Sequence, residues 1–343
     1  MSKILVTGGL GYIGSHTVVE LYNNGYEVVI VDDLSNSSLR VLDGIESITK
    51  NSIKFLELDL KNLELTESFI KSNNDIDGVI HFAASKAVGE SVDDPLKYYN
   101  NNILSLLNLL TALKKLDKKI NFIFSSSATV YGKPDILPIT ELESIKIAES
   151  PYGNTKQIGE EILFDLVKSS SNFNVLSLRY FNPIGAHDSA LIGELPIGTP
   201  QNLVPFITQT AIGKRDILTV FGNDYNTHDG TCLRDYIHVI DLANAHVVGL
   251  NFLKIKKESN YYDTFNIGTG KATSVLELIE GFVKFTGIKL NYKIGNRRSG
   301  DVEKCYAEVS KANNQLKWKS KLTIKEALIS AWNWEKYISN EKL

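Results

Sequence analysis

Three features of the sequence predict an α/β protein built on a doubly wound parallel sheet, with a smaller C-terminal α/β domain after it. Short apolar runs alternate with longer helix-like segments through the first half of the chain. Each run ends in small or polar residues, and a glycine-rich turn joins the first run to the first helix. At 343 residues the chain has room for two domains, and its 43% hydrophobic, 22% charged composition is that of a soluble globular protein.

The first strand is Lys3-Ile4-Leu5-Val6-Thr7, followed directly by Gly8-Gly9-Leu10-Gly11-Tyr12-Ile13-Gly14. This stretch satisfies both Gly9-x-Gly11-x-x-Gly14 and Gly8-x-x-Gly11-x-x-Gly14. Ser15 to Asn23 continues as a helix, and Asn24-Gly25 is its stop signal. Glycines at these spacings allow a tight turn and a close approach of backbone to a pyrophosphate, while the helix N-terminus offers free N–H groups. The next strand, Glu27 to Val31, ends in Asp32, where a carboxylate can grip a ribose 2′-hydroxyl and repel a 2′-phosphate. Strand, turn, helix, strand and acid together predict a Rossmann-type domain that takes NAD rather than NADP.

The alternation continues. Ile53 to Leu58 runs into Asp59, Gly78 to Phe82 into Ala83-Ala84-Ser85-Lys86, and Asn121 to Phe124 into Ser125-Ser126-Ser127. Between the last two lies a predicted helix, Tyr98 to Leu116, whose leucines at 104, 106, 107, 109, 110 and 113 nearly encircle it. One face packs on the sheet; the other is covered either by a partner subunit or by the same domain.

Ser150-Pro151-Tyr152-Gly153-Asn154-Thr155-Lys156 carries the expected chemistry. Pro151 suits the first turn of a helix, because it has no N–H to leave unpaired there. Positions i and i+4 then share a face, which brings the Tyr152 phenol near the Lys156 ammonium. A nearby positive charge favours the phenolate, so Tyr152 is expected to have a lowered pKa and to act as a base near neutral pH. Taken alone the pair is also compatible with an ordinary amphipathic helix.

Several function classes are excluded on composition. A net charge of -3 gives no general attraction for nucleic acid, so an anionic ligand must be held by a few local Arg or Lys. No apolar run reaches the roughly 18 residues of a membrane span, and Ile4-Leu5-Val6 is far shorter than the apolar region of a signal peptide. Cys232 and Cys305 stand too far apart for a disulfide framework or a clustered metal site. The expectations are a cytoplasmic location, no nucleic-acid partner, no membrane and no metal.

With these residues assembled, the chain resembles the extended short-chain dehydrogenase/reductases, and within them it is most similar to the UDP-glucose 4-epimerase family. The resemblance rests on Thr7 to His16, Lys86 to Ser91, Phe122 to Gly132, Tyr152 to Lys156, Arg179 to His187 and Arg234 to Val239. It implies an NAD-dependent isomerase that interconverts UDP-galactose and UDP-glucose by transient oxidation at sugar C4. Tyr152 would be the acid and base, Lys156 would bind the nicotinamide ribose and lower the Tyr152 pKa, and Ser127 would hydrogen-bond the reacting sugar hydroxyl. Gly8, Gly11, Tyr12, Ile13, Gly14, Asp32, Asn36, Asp59, Leu60, Phe82, Ala83, Lys86 and Asn101 match cofactor-binding positions, with Tyr180 and Phe181 bordering the nicotinamide. Ala84-Ser85 depart from the Gly-Leu usual in that family.

After Arg179-Tyr180-Phe181-Asn182-Pro183-Ile184-Gly185 the regular alternation gives way to glycine- and proline-bearing loops. Residues 1–180 are read as the NAD-binding domain and 181–343 as the nucleotide-sugar substrate domain, with some segments returning to the first. Two polar loops follow, Gly222 to Thr231 and Gly295 to Asp301. Arg234 and Arg298 can each engage phosphate oxygens through a planar fork. The resemblance assigns Arg234, Arg298 and Asp301 to the UDP moiety and Asn182, Asn202 and Leu203 to the rest of the pocket. Trp332 and Trp334 are read as helix-packing residues.

Cys305 matches a position bordering the sugar, where a bulky Tyr is associated with excluding N-acetyl groups. A small residue there implies that UDP-N-acetylglucosamine and UDP-N-acetylgalactosamine are also substrates; the alternative is an inert packing thiol. The resemblance further implies a homodimer. A dehydratase of the same superfamily carries Asp-Glu after the active-site Ser or Thr, whereas Ala128-Thr129 follow Ser127 here. A net dehydrogenase or reductase, and a non-catalytic NAD-sensing module, are the remaining alternatives.

Overall fold

Strand β1 (Lys3–Thr7) is buried along its whole length, at the interior of a seven-stranded sheet. The structure is a computed structural model that describes residues 2–169, 172–256, 259–298 and 301–340. β2 (Glu27–Asp32) and β3 (Lys54–Glu57) lie on one side of β1. β4 (Ile76–His81), β5 (Ile120–Ser127) and β6 (Phe173–Tyr180) lie on the other. Every pairing among these six is parallel. A seventh strand, Tyr262–Ile267, pairs in parallel with β6, so a segment beyond residue 180 completes the sheet. The strand order reverses at β1, and in such sheets the crevice at the carboxyl ends of the strands is where ligands bind.

Side chains alternate across β1, which sorts the core into two layers. Ile4 and Val6 face helix α1 (Tyr12–Asn23) and the later helix Val239–Ile255, in a cluster with Val18, Leu21, Ile30, Leu242 and Leu250. Leu5 faces the opposite layer, made by α3 (Leu63–Ser72), α5 (Pro95–Lys114) and α6 (Pro151–Ser169), with Val79, Leu106, Leu109, Leu113 and Leu163. The remaining helices of this half are α2 (Leu39–Thr49) and α4 (Val88–Asp93). Each fully buried aliphatic side chain of this kind contributes about 1.5–3 kcal/mol.

Element boundaries depart from the sequence reading where backbone bonding, not side-chain character, decides. α1 begins at Tyr12 rather than Ser15, with Gly11 as its N-cap. β5 runs through the polar residues Ser125 to Ser127, because their backbones pair with Leu178 to Tyr180 of β6. α5 starts at Pro95, capped by Asp94, whose carboxylate accepts from the Lys97 N–H at 3.2 Å. Of the α5 leucines, 106, 109, 110 and 113 are buried, while 104 and 107 remain exposed.

The second half has a core of its own. α7 (Leu203–Ala211), α8 (Val239–Ile255), α9 (Val275–Thr286) and α10 (Ile324–Asn340) are its helices. Val204, Ile207, Leu218, Val220, Leu278, Phe282 and Leu328 pack together around α7, α9 and α10. Trp332 meets Phe282 edge-on at 5.7 Å, and Trp334 is buried. Ser274 and Glu277 form a capping box that starts α9. Ser299 and Gly300, in the predicted polar loop Gly295 to Asp301, lie outside the described residues. Among the described residues no helix is long and apolar enough to cross a membrane.

Candidate active site

The site is built where the chain leaves β1. Gly8 takes φ +66°, and a Cβ there would stand 2.7 Å from the Ala83 nitrogen, so this position needs glycine on both counts. A Cβ on Gly14 would stand 2.3 Å from the Gly8 carbonyl oxygen, which packs the first turn of α1 directly on the glycine turn. No side chain caps α1 at Gly11, so the N–H groups of its first turn, around Tyr12 and Ile13, stay available to an anion.

Asp32 closes β2 beside this turn. Its carboxylate accepts from the Leu10 N–H at 3.0 Å, the Leu34 N–H at 3.1 Å and the Ser37 hydroxyl at 2.7 Å. Burial raises its pKa, and those three bonds work against the rise. A carboxylate offers about four acceptor sites, which leaves one for a ribose hydroxyl. The glycine cradle, the uncapped helix and this carboxylate fit a dinucleotide.

The other predicted cofactor positions follow the remaining strand ends. Asn36 is exposed beyond β2, and Asp59 is exposed beyond the edge strand β3, next to buried Leu60. The Phe82 N–H donates to the Thr7 carbonyl at 2.9 Å, which seats Phe82 and Ala83 beside the glycine turn. Lys86 Nζ lies 5.8 Å from the centre of the Tyr12 ring. Asn101 donates to the Ser85 hydroxyl at 3.1 Å. The unusual Ala84-Ser85 pair is thereby tied in: Asn102 accepts from the Ser85 N–H at 2.8 Å and donates to the Ser85 carbonyl and the Thr155 hydroxyl, both at 3.0 Å. The β4 loop is so pinned to the helix that carries Tyr152.

Pro151 opens α6, and the Ser150 hydroxyl accepts from the Gly153 N–H at 3.2 Å. Ser127, the last residue of β5, stands beside the Tyr152 phenol and works to lower its pKa. Lys156 Nζ lies 5.7 Å from the centre of the Tyr152 ring and donates to the Ser125 carbonyl at 2.7 Å. Ser127, Tyr152 and Lys156 therefore converge. The expected lowering of the Tyr152 pKa is corrected by the structure: burial pushes the phenol up to about 12, and the neighbouring Ser127 side chain is what opposes it. Burial also pushes the Lys156 ammonium down to about 7, against the attraction of Glu160. Burial is the largest cause in both cases, because taking either group out of water disfavours its charged form.

Tyr180 ends β6 on the far side, and Phe181 follows it. The Tyr180 hydroxyl meets His246 Nε2 at 3.1 Å, while His246 Nδ1 lies 2.8 Å from the Leu242 carbonyl oxygen. Phe181 packs with Ala128, Val130, Tyr131 and Cys305 in one small apolar cluster. The Asn182 N–H donates to the Asp235 carbonyl at 2.9 Å.

Of the predicted UDP-sugar residues, Arg234, Arg298, Asp301 and Cys305 come together in the second half. Arg298 forks onto Asp301 at 2.7 and 3.2 Å, and Arg234 Nη2 lies 3.7 Å from the same carboxylate. Cys305 stands opposite Arg234 in a short parallel strand pair. Its thiol is pushed up to about 11 by burial and stays neutral. Asn202 stands at the N-cap position of α7 without a side-chain cap bond and donates to Glu194 at 2.6 Å, with Leu203 partly buried beside it.

Four residues that shape the site were not assigned roles from sequence. Glu160 accepts Arg179 through two bonds at 2.9 and 2.6 Å, both side chains being buried behind the catalytic set. Glu160 lies four residues after Lys156, a helical spacing that could have signalled it. Asn102 neighbours a predicted contact. Glu194 sits in an irregular loop 108 residues from its partner Lys86, where no local pattern exists.

Comparison with known proteins is consistent along the chain. The family model described as GDP-mannose 4,6 dehydratase matches residues 5–330. A UDP-glucose 4-epimerase of Dictyostelium discoideum is 50% identical over 333 residues, covering 97% of this chain and 95% of that protein. A crystal structure of UDP-glucose-4-epimerase from Stenotrophomonas maltophila, with bound NAD and formylated UDP-arabinopyranose, superposes with a TM-score of 0.95 at 44% identity, covering 99% of this chain and 100% of that one. The enzyme from Bifidobacterium longum, in complex with NAD+ and UDP, gives 0.94 at 46% identity, covering 99% of both chains.

Proposed function

The chain belongs to the UDP-glucose 4-epimerases of the extended short-chain dehydrogenase/reductase superfamily, and on that premise we propose that it interconverts UDP-galactose and UDP-glucose with Tyr152 as acid and base. NAD is its cofactor. Gly8, Gly11 and Gly14 would cradle the pyrophosphate, and Asp32 would hold the adenosine ribose. Held there, NAD would supply transient oxidation at sugar C4, with no net redox change over the cycle.

Tyr152, as the phenolate, takes the proton of the 4-hydroxyl and later gives it back. Ser127 holds the phenol and the reacting oxygen in one hydrogen-bonded pair. Lys156, one helical turn on, stabilises the phenolate when charged and binds the nicotinamide ribose. Arg234 and Arg298 hold the diphosphate, with Asp301 on the uridine ribose and Asn182, Asn202 and Leu203 completing the pocket. Anchoring at UDP, remote from C4, leaves the sugar free to turn over between the two half-reactions. The small thiol of Cys305 leaves room for an N-acetyl group, so UDP-GlcNAc and UDP-GalNAc are included as substrates.

The observation that carries this reading is the convergence of Ser127, Tyr152 and Lys156 at the carboxyl end of β5, in the same parallel sheet whose β1 leads into the glycine cradle. Ala128 and Thr129 follow Ser127 with no carboxylate, which weighs against dehydration. On this reading residues 1–180, with Val239–Ile255 and Tyr262–Ile267 returning to them, are the NAD-binding domain, and residues 181–343 are the nucleotide-sugar domain. Exposed Leu104, Leu107 and Phe164 on the adjacent helices α5 and α6 support a homodimer through that face, and a cytoplasmic location suits a nucleotide-sugar enzyme.

The test is to follow purified protein, without added NAD(H), on UDP-galactose and UDP-N-acetylgalactosamine in parallel. Conversion of both is expected. Conversion of UDP-galactose alone removes the N-acetyl reading, and a requirement for stoichiometric NAD(H) turns the assignment to a net dehydrogenase or reductase.

A further inference from the structure

One carboxylate oxygen serves both halves of the molecule. Glu194 Oε1 accepts from Lys86 Nζ at 3.1 Å and from Asn202 Nδ2 at 2.6 Å. Lys86 belongs to the loop after β4 and lies beside the Tyr12 ring; Asn202 stands at the N-cap position of α7 in the second half. The backbone beneath is fixed separately. Trp334 Nε1 donates to the Glu194 carbonyl at 2.8 Å, and a Cβ on Gly193 would meet the Trp334 ring at 2.5 Å. The Glu194 side chain is only 11% exposed, so its charge is less screened than in a surface pair, although Lys86 itself is 48% exposed.

We infer that Glu194 is a positioning residue that couples occupation of the nucleotide-sugar site to retention of the cofactor. A ligand that fixes Asn202 and the start of α7 also fixes the Glu194 carboxylate, and Glu194 then holds Lys86 beside the glycine turn. The inference rests on the reading above, in which Lys86 contacts NAD and Asn202 the UDP-sugar. Such coupling is reciprocal: a bound dinucleotide favours UDP to the same extent.

The experiment measures the rate at which holoenzyme loses NAD to an NAD-consuming trap, with and without saturating UDP, alongside the affinity for UDP by calorimetry. UDP should slow NAD release from the wild type by about tenfold, the worth of one charge-assisted hydrogen bond. Glu194→Ala should bring the ratio of the two rates close to one, and Glu194→Gln, which keeps the acceptor but not the charge, should retain part of it. Because Trp334 bonds the main chain, the fold does not depend on this side chain; Asn202→Ala, which cuts the other bond to the same oxygen, is a second route and should also reduce the ratio. Undiminished slowing in Glu194→Ala overturns the coupling. So does a wild type that binds UDP without slowing NAD release, an outcome that leaves the epimerase reading intact. Failure of UDP to bind at all overturns the site reading and the coupling together.

Discussion

Replacing Glu160 by Gln tests how the catalytic set is held. The Glu160 carboxylate accepts two bonds from Arg179 and one from the Ser126 hydroxyl at 2.5 Å, and Arg179 also donates to the Tyr131 hydroxyl at 3.0 Å. Both side chains are about 95% buried, so neither charge has water to fall back on. Removing one charge from such a pair leaves the other uncompensated, at a cost of about 3–5 kcal/mol. That is a large share of the roughly 5–15 kcal/mol by which a folded protein is stable. Urea unfolding should show the midpoint falling with an unchanged slope. The companion double variant, Glu160→Leu with Arg179→Met, removes both charges and should be more stable than Glu160→Leu alone, because packing replaces an ion pair that was costly to desolvate. The active site gives a second readout. Glu160 supports the charge on Lys156, so its loss moves the Lys156 pKa further down and shifts the alkaline limb of the kcat profile to lower pH. A single-variant cost under about 1 kcal/mol, with additive losses in the double variant, would refute the reasoning.

Tyr152→Phe should lower kcat by about 10²–10⁴-fold, the usual worth of a positioned acid–base group, with bound NAD content unchanged on extraction. Cys305→Tyr should selectively reduce turnover of the N-acetylated sugars, and unchanged selectivity between UDP-galactose and UDP-N-acetylgalactosamine would count against a steric gate. Lys156 has a folded pKa near 7, below its ordinary 10.5, so between these values the unfolded chain binds the extra proton. Its contribution to stability is therefore present above pH 10.5 and lost as pH falls through about 7; Lys156→Met should flatten that part of the stability profile, as read by thermal unfolding across pH 6–10 at about one-unit steps.

Much of the molecule was legible in its sequence for a local reason. The strand from Lys3 to Thr7, the glycine turn, the Asp32 terminus and the helix opened by Pro151 are written in contiguous residues, and the forces that make them act within a few positions. The i, i+4 spacing brought Tyr152 and Lys156 to one face, as helical geometry requires. The electrostatics were not legible. Whether an ammonium lowers a phenol's pKa depends on how much water both groups lose, and burial here raises one and depresses the other. The polar run Ser125 to Ser127 hid the end of β5, since a ladder is made of backbone bonds to a strand 53 residues away in register, as Ser127 with Tyr180 shows.

What the sequence by itself determined was the set of chemical groups and the short spacings that make them a dinucleotide turn and a Ser, Tyr, Lys constellation. Tertiary structure alone decided which distant groups support them: Arg179 behind Glu160, Asn102 between Ser85 and Thr155, and Glu194 between Lys86 and Asn202. The physical reason is that a buried charge or amide must find its partner wherever the packed layers bring one within about 3 Å, and that distance is set by the fold and not by position along the chain.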